Sequence, residues 1–235
     1  MPRLTLLFAM LSLFFLVLLV FFRSPFPLYP LMSWQDALGL LTPVALIPVY
    51  WAMYRRATAR KSGGAADLAF MAFAAVWLLG HGMHLSANSI HNLVDAESQR
   101  GRLDLAGTDL YRLIYFYDEH LSHPVWYAGI LALAGLLIAR EASAPARIPA
   151  GRATVFAGVL YGFTLFCTFV EGQTVYLGLP FAALATLYTL RERRTLAQRP
   201  LAAFFGVAFL VALLLFAGWG LYWRGFPQFT DVKLI

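Results

Sequence analysis

The sequence predicts an all-α, polytopic helical bundle embedded in a membrane, and three observations predict it. Of 235 residues, 60% are hydrophobic and only 13% charged, too little polar surface to cover a water-soluble domain of this length. The apolar residues fall into seven runs of roughly the 17 to 25 residues that span a hydrocarbon core as helix. The connections between runs are short and polar or rich in Gly, Pro and Ser, so nothing is left over for a soluble domain. Residues 1–235 read as one transmembrane domain.

The first run, 4–22, follows Met1, Pro2 and Arg3 and invites comparison with a secretory signal. It extends for 19 residues into Phe22, Arg23, Ser24 and Pro25 with no small-residue cleavage site, which predicts a retained helix. The second run is 37–54, and RRATARKSGGAAD leads from it to the third, 67–91. HNLVDAESQRGRLDLAGTD, with mixed charge and two glycines, reads as a surface loop or short amphipathic helix before the fourth run, 111–139. EASAPARIPAGR leads to the fifth, 154–171; the sixth is 174–190; RERRTLAQRP leads to the seventh, 201–223.

The formal charge of +6 raises the question of a nucleic-acid partner. With the N-terminus inside, the inner segments hold 12 of the 18 basic residues: Arg3, Arg55, Arg56, Arg60, Lys61, Arg140, Arg147, Arg152, Arg191, Arg193, Arg194 and Arg199. The outer segments hold 6: Arg23, Arg100, Arg102, Arg112, Arg224 and Lys233. The excess follows the positive-inside rule. The charge therefore reports topology and gives no support for nucleic-acid binding: N-terminus cytoplasmic, C-terminus outside, in a bacterial-type inner or plasma membrane. The single cysteine, Cys167, rules out an intrachain disulfide and a Cys-rich metal site.

All five histidines, His81, His84, His91, His120 and His123, fall within 43 residues. At about 100° per residue, His81, His84, Asn88, His91 and Asp95 fold into an arc of about 80°. The fourth run opens YFYDEHLSHPVWY, where Glu119, His120 and His123 occupy about 100° by the same spacing, with Tyr127 continuing the stripe. Asp118 points about 100° away from Glu119 and reads equally as a residue that hydrates the entrance to the span. Consecutive antiparallel spans bring these two faces together on the outer side. The fifth run places Tyr161, Thr164, Thr168 and Glu171 on one face, with Glu171 at the same level. Asp95 and Glu171 also read as solvated residues beyond the ends of spans.

A lone histidine on an apolar helix is ordinarily a hydrogen-bonded packing residue. Five with aligned carboxylates point to a metal, because ionisable groups inside a span pair, face a cavity or bind something. Imidazoles with carboxylates suit zinc, iron or manganese better than calcium or magnesium. The expected ligands are drawn from His81, His84, His91, His120, His123, Glu119 and Glu171. Glu119, Asp118 and Asp95 are the candidate general bases or orienters, and Asn88, Tyr127, Tyr161 and Thr168 would line the substrate side. A catalytic zinc needs three such ligands and an open position for water. A dinuclear iron site that hydroxylates or desaturates a lipid chain would use the same residue types from several helices. Axial haem ligation and a metal-ion or proton path are the non-enzymatic alternatives, but a path through the membrane needs polar residues at all depths. The inner halves of spans three and four, LAFMAFAAVWLLG and GILALAGLLIA, carry none.

The SANSIH stretch, with Ser86, Ser89 and His91, and Asp118 at the start of the next span, resembles the seven-span membrane hydrolases related to alkaline ceramidases and adiponectin receptors. That resemblance implies zinc and hydrolysis of a lipid amide. It covers two helices, and the His pair that the family carries on its last span is missing here. The expectation is a metal-dependent membrane enzyme whose partners are membrane lipids and a lipid-like substrate, with metal-activated hydrolysis ahead of iron-dependent oxidation.

Overall fold

A computed structural model describes residues 1–21, 24–56, 64–102, 104–105, 107–143 and 148–234. Of the basic residues used to orient the chain, Arg23, Arg60, Lys61 and Arg147 lie outside the described residues. Seven helices follow the seven apolar runs: α1 Pro2–Phe21, α2 Trp34–Arg56, α3 Ala65–Gln99, α4 Asp109–Ser143, α5 Arg152–Glu171, α6 Val175–Arg191 and α7 Pro200–Trp223. Five of them, α2, α3, α4, α5 and α7, are long and apolar enough to cross a membrane. The described apolar part of α1, Pro2–Leu18, and α6 are shorter.

Between α1 and α2 the chain forms a small antiparallel hairpin, β1 Pro25–Phe26 with β2 Tyr29–Ser33. The sequence reading expected only helix, but Pro25, Pro27 and Pro30 deny the backbone the donors a helix needs. The start of α2 is closed by a capping box. Asp36 accepts from the Ser33 N–H (2.9 Å) and hydroxyl (2.8 Å), while Ser33 Oγ accepts from the Asp36 N–H (3.1 Å).

The third and fourth helices are longer than their apolar runs, 35 residues each. At 1.5 Å per residue that is about 52 Å against a hydrocarbon core of about 30 Å. The surplus of α3 after His91 and of α4 before Tyr115 project side by side from the same end of the bundle. Thr108 starts α4 by accepting the Tyr111 N–H (3.3 Å), so the helix begins before its apolar run.

Two glycines set the distance between these helices. A Cβ on Gly80 would lie 2.2 Å from the Trp126 nitrogen, and one on Gly129 would lie 2.5 Å from the Trp77 nitrogen. The two backbones therefore touch, as small residues allow in membrane bundles. Gly158 and Gly162, spaced as G-x-x-x-G, bring α5 equally close to the Phe204 and Ala208 carbonyls of α7. Helix α7 is in contact with α1, α4, α5 and α6, with Phe204, Phe205, Phe209 and Phe216 buried. Its first turn is held by buried Glu141 of α4, which accepts the N–H groups of Leu201 (3.1 Å) and Ala202 (2.7 Å). A carboxylate suits the positive end of a helix.

In contrast, the backbones of α4 and α5 stand apart, bridged by the rings of Tyr127 and Phe169 (5.0 Å). A cavity of about 550 Å³ opens there, walled by α1 to α5 and by residues 228–234 of the C-terminal segment.

Candidate metal centre

The central residue of the cluster is Asp118, fully buried on α4. His84 Nδ1 lies 3.0 Å from its Oδ1, and His91 Nδ1 lies 2.8 Å from its Oδ2. The two imidazoles stand two turns apart on α3, and one carboxylate fixes both rings. A buried carboxylate in an apolar bundle persists only with such partners.

The backbone explains why Asp118 is here. Phe116–Ser122 is a π-helical segment within α4, and i→i+5 bonding turns each residue through less than the α-helical angle. Asp118 and Glu119 can then both address the cluster, whereas 100° spacing separates them. His120 is displaced the other way: it is exposed and rests against the rings of Tyr115 (5.3 Å) and Phe116 (6.5 Å). The reading from the sequence had put His120 on the inward stripe and Asp118 off it, and the geometry reverses the two.

Beside Asp118, Glu119 Oε2 lies 3.6 Å from His123 Nδ1. Both atoms are buried, and neither has a hydrogen-bond partner among the described residues. The His123 ring is 4.5 Å from that of His84 and stacks on Tyr127 at 5.8 Å. One donor atom each of His91, Asp118 and Glu119 falls within 4.8 Å of the others. His84 and His123 flank that group, and His84, Glu119 and His123 line the cavity. Three imidazoles and two carboxylates thus converge from two helices.

The other expected residues sit at varying removes. His81 is buried with Nε2 2.8 Å from the Gly39 carbonyl, where it ties α3 to α2, and its ring packs edge-on to Trp126 at 4.3 Å. Asp95 accepts the Tyr111 hydroxyl (3.1 Å), and the same oxygen of Tyr111 is 3.1 Å from His91 Nε2. Asp95 therefore touches the cluster through Tyr111 and lies 3.6 Å from His91 itself. Glu171 lines the cavity, but both of its carboxylate oxygens are engaged by the C-terminal segment, with the Phe229 N–H (2.9 Å) and the Thr230 hydroxyl (3.1 Å). Asn88 donates to Asp36 (3.4 Å) and accepts from Asn92 (3.0 Å). Tyr127, Tyr161 and Thr168 all line the cavity; the Tyr161 hydroxyl pairs with that of Tyr50 (3.2 Å) and Thr168 bonds the Thr164 carbonyl (2.7 Å).

Two participants escaped the sequence reading. Tyr111 is the first residue of the fourth run, and its spacing of seven from Asp118, two turns along one helix face, was the signal that it belongs with the cluster. Asp36 supports Asn88 from α2, and its signal was the Ser-x-x-Asp box. Comparison with protein-family models, with curated proteins and with solved structures finds no match.

Proposed function

We propose that the protein is an integral membrane metalloenzyme that hydrolyses an ester or amide bond near the polar end of an apolar, lipid-like substrate. The observation that carries this reading is the pairing of the cluster with the cavity: His84, Glu119 and His123 form part of the wall of a space otherwise lined largely by apolar side chains. The residues fit a transition metal on the chemistry of the donors and on the two orphaned atoms, Glu119 Oε2 and His123 Nδ1, since buried polar groups without partners are uncommon. The donors free to hold the metal would be the second ring nitrogen of His84, Nδ1 of His123 and Oε2 of Glu119, with Asp118 and His91 behind them. When bound, zinc lowers the pKa of a coordinated water and polarises a carbonyl.

The chain's own residues supply the rest. Asp118 orients His84 and His91 through their Nδ1 atoms, the second carboxylate partner that ligating histidines usually have. Tyr111 and Asp95 brace His91 from the other side. Glu119, through the carboxylate oxygen not given to the metal, takes a proton from water as the water oxygen bonds to the acyl carbon, and returns it to the departing oxygen or nitrogen as the acyl bond breaks. The apolar wall holds the chain of the substrate. His91 and Asp118, on which the resemblance to ceramidase-like hydrolases rests, are bonded to each other, in keeping with this reading. Seven spans with the N-terminus in the cytoplasm would put the site at the outer leaflet, by the charge distribution of the connections.

Elemental analysis of the purified protein, alongside His84→Ala, His91→Ala and His120→Ala, tests the proposal. About one zinc per chain, lost in the first two variants and kept in the third, supports it. No metal in the wild type overturns it. About two irons per chain would instead favour the dinuclear iron enzyme that hydroxylates or desaturates a lipid chain, a reading supported by one observation: five donors are more than a single catalytic zinc requires.

A further inference from the structure

We infer that the cavity receives one acyl chain of a neutral, single-tailed amphiphile, which enters sideways from the lipid between α1 and α5. This rests on the cavity site proposed above and names its substrate class.

The wall decides the charge of the head. Among the described residues that line the cavity none is Lys or Arg, whereas Glu119 and Glu171 both line it. Without the metal, an anionic phosphate or carboxylate head would meet two carboxylates and, for counter-charge, only the imidazoles of His84 and His123 in a region of low dielectric.

Deeper in, hydroxyls on the wall are satisfied within the protein. Ser12 bonds the Phe8 carbonyl (2.8 Å), Thr164 bonds the Leu160 carbonyl (3.0 Å), and Tyr161 pairs with Tyr50 (3.2 Å). What they present to the cavity is apolar, and Thr42 Oγ1 and Trp77 Nε1, without partners among the described residues, are themselves buried. Along α3 the lining runs from Trp77 to Asn88, about 16 Å at the rise of a helix. That is close to half of a hydrocarbon core of about 30 Å, the depth of one leaflet. The volume of about 550 Å³ is that of a pocket for one drug-sized ligand, which admits one chain and not two.

The portal follows from exposure. Val17 of α1 and Phe163 of α5 line the cavity and yet are 44% and 46% exposed. Apolar side chains that are cavity wall on one side and outer surface on the other mark where the space reaches lipid. The aqueous approach is covered by Gln228, Phe229 and Leu234, which also line the cavity, in the segment that Glu171 holds.

The test is equilibrium binding of tritiated 1-O-oleylglycerol, an ether with no acyl bond to cleave, to the detergent-solubilised full chain at pH 8, with and without chelator. Saturable binding near one per chain is expected in both. In the chelated protein oleate should compete at least about tenfold more weakly, the factor that 1.4 kcal/mol of repulsion gives, and dioleoylglycerol should not compete. Thr164→Trp, which fills the cavity, should lower affinity by at least as much. Absence of saturable binding, equal competition by oleate or dioleoylglycerol, or unchanged affinity in a folded Thr164→Trp would each overturn the inference. The competition series needs no variant, so it stands if Thr164→Trp does not assemble. Metal content measured on the same sample separates the two ideas: binding without metal leaves the pocket and removes the metalloenzyme, and metal without binding does the reverse.

Discussion

At the scale of residues, the cluster turns on Asp118, because one buried carboxylate positions two imidazoles from the neighbouring helix. Asp118→Asn preserves the shape of the side chain while removing its charge and one of its two acceptors. One imidazole N–H is then left facing an amide N–H₂, and the ring loses its fixed orientation. The expected result is a loss of metal affinity of about 10- to 100-fold, the usual effect of removing such a partner, read by titration with zinc against a competing chelator. Unchanged affinity would show that Asp118 serves the packing of α4 alone. The histidines themselves were legible in the sequence, since His84 and His91 are two turns apart and His123 follows on the next span. Asp118 was not legible, because its direction depends on the π-helical segment and no local residue announces one. Glu171 shows the opposite failure: it stands at the predicted level and face, but its partners lie 57 to 59 residues downstream, beyond the reach of any local pattern.

At the scale of elements, the site exists because α3 and α4 are in backbone contact. Gly80 faces the Ser122 carbonyl and the Trp126 backbone, so it sits directly behind the turn that carries His123. Gly80→Ala would place a methyl 2.2 Å from the Trp126 nitrogen and 2.8 Å from the Ser122 oxygen, and the helices must separate to admit it. Overpacking of this kind costs about 1–3 kcal/mol, and the separation would also pull Asp118 away from His84. Two residues on, a Cβ at Gly82 meets nothing within 4 Å. Gly82→Ala should therefore be neutral or stabilising by up to about 1 kcal/mol through helix propensity. Thermal unfolding of the two variants in detergent checks the contrast, and equal behaviour would remove the close approach as the reason for glycine at position 80. The existence of seven helices was readable from the apolar runs, each helix starting or ending within a few residues of its run. The exception is the end of α3, which continues to Gln99 because NLVDAESQ keeps helical chemistry after the apolar residues stop. Hydropathy locates what is greasy, whereas a helix ends where its backbone bonds end.

At the scale of the whole molecule, the order of packing was hidden from the sequence. Span seven reads as the most uniformly apolar run, and uniformity cannot distinguish a helix bathed in lipid from one buried among its neighbours; its aromatic residues turn out to be core. Orientation, by contrast, is proposed from the connections, where seven spans would put 12 basic residues on one side and 6 on the other. Exposed Arg194 and Arg102 lie in connections assigned to opposite sides, the first after α6 and the second after α3. In a Cys167→Ser background, Arg102→Cys should react with a membrane-impermeant maleimide in intact cells, and Arg194→Cys only after permeabilisation. Each substitution removes one positive charge, which leaves the asymmetry of 12 to 6 at 12 to 5 or 11 to 6, so neither should invert the chain. The opposite labelling pattern would place the histidine cluster and the mouth between α1 and α5 at the cytoplasmic leaflet. The chemistry of the cavity would be unaltered by that outcome. Its substrate would then have to come from the inner lipid pool, and any water-soluble product would be released into the cytoplasm.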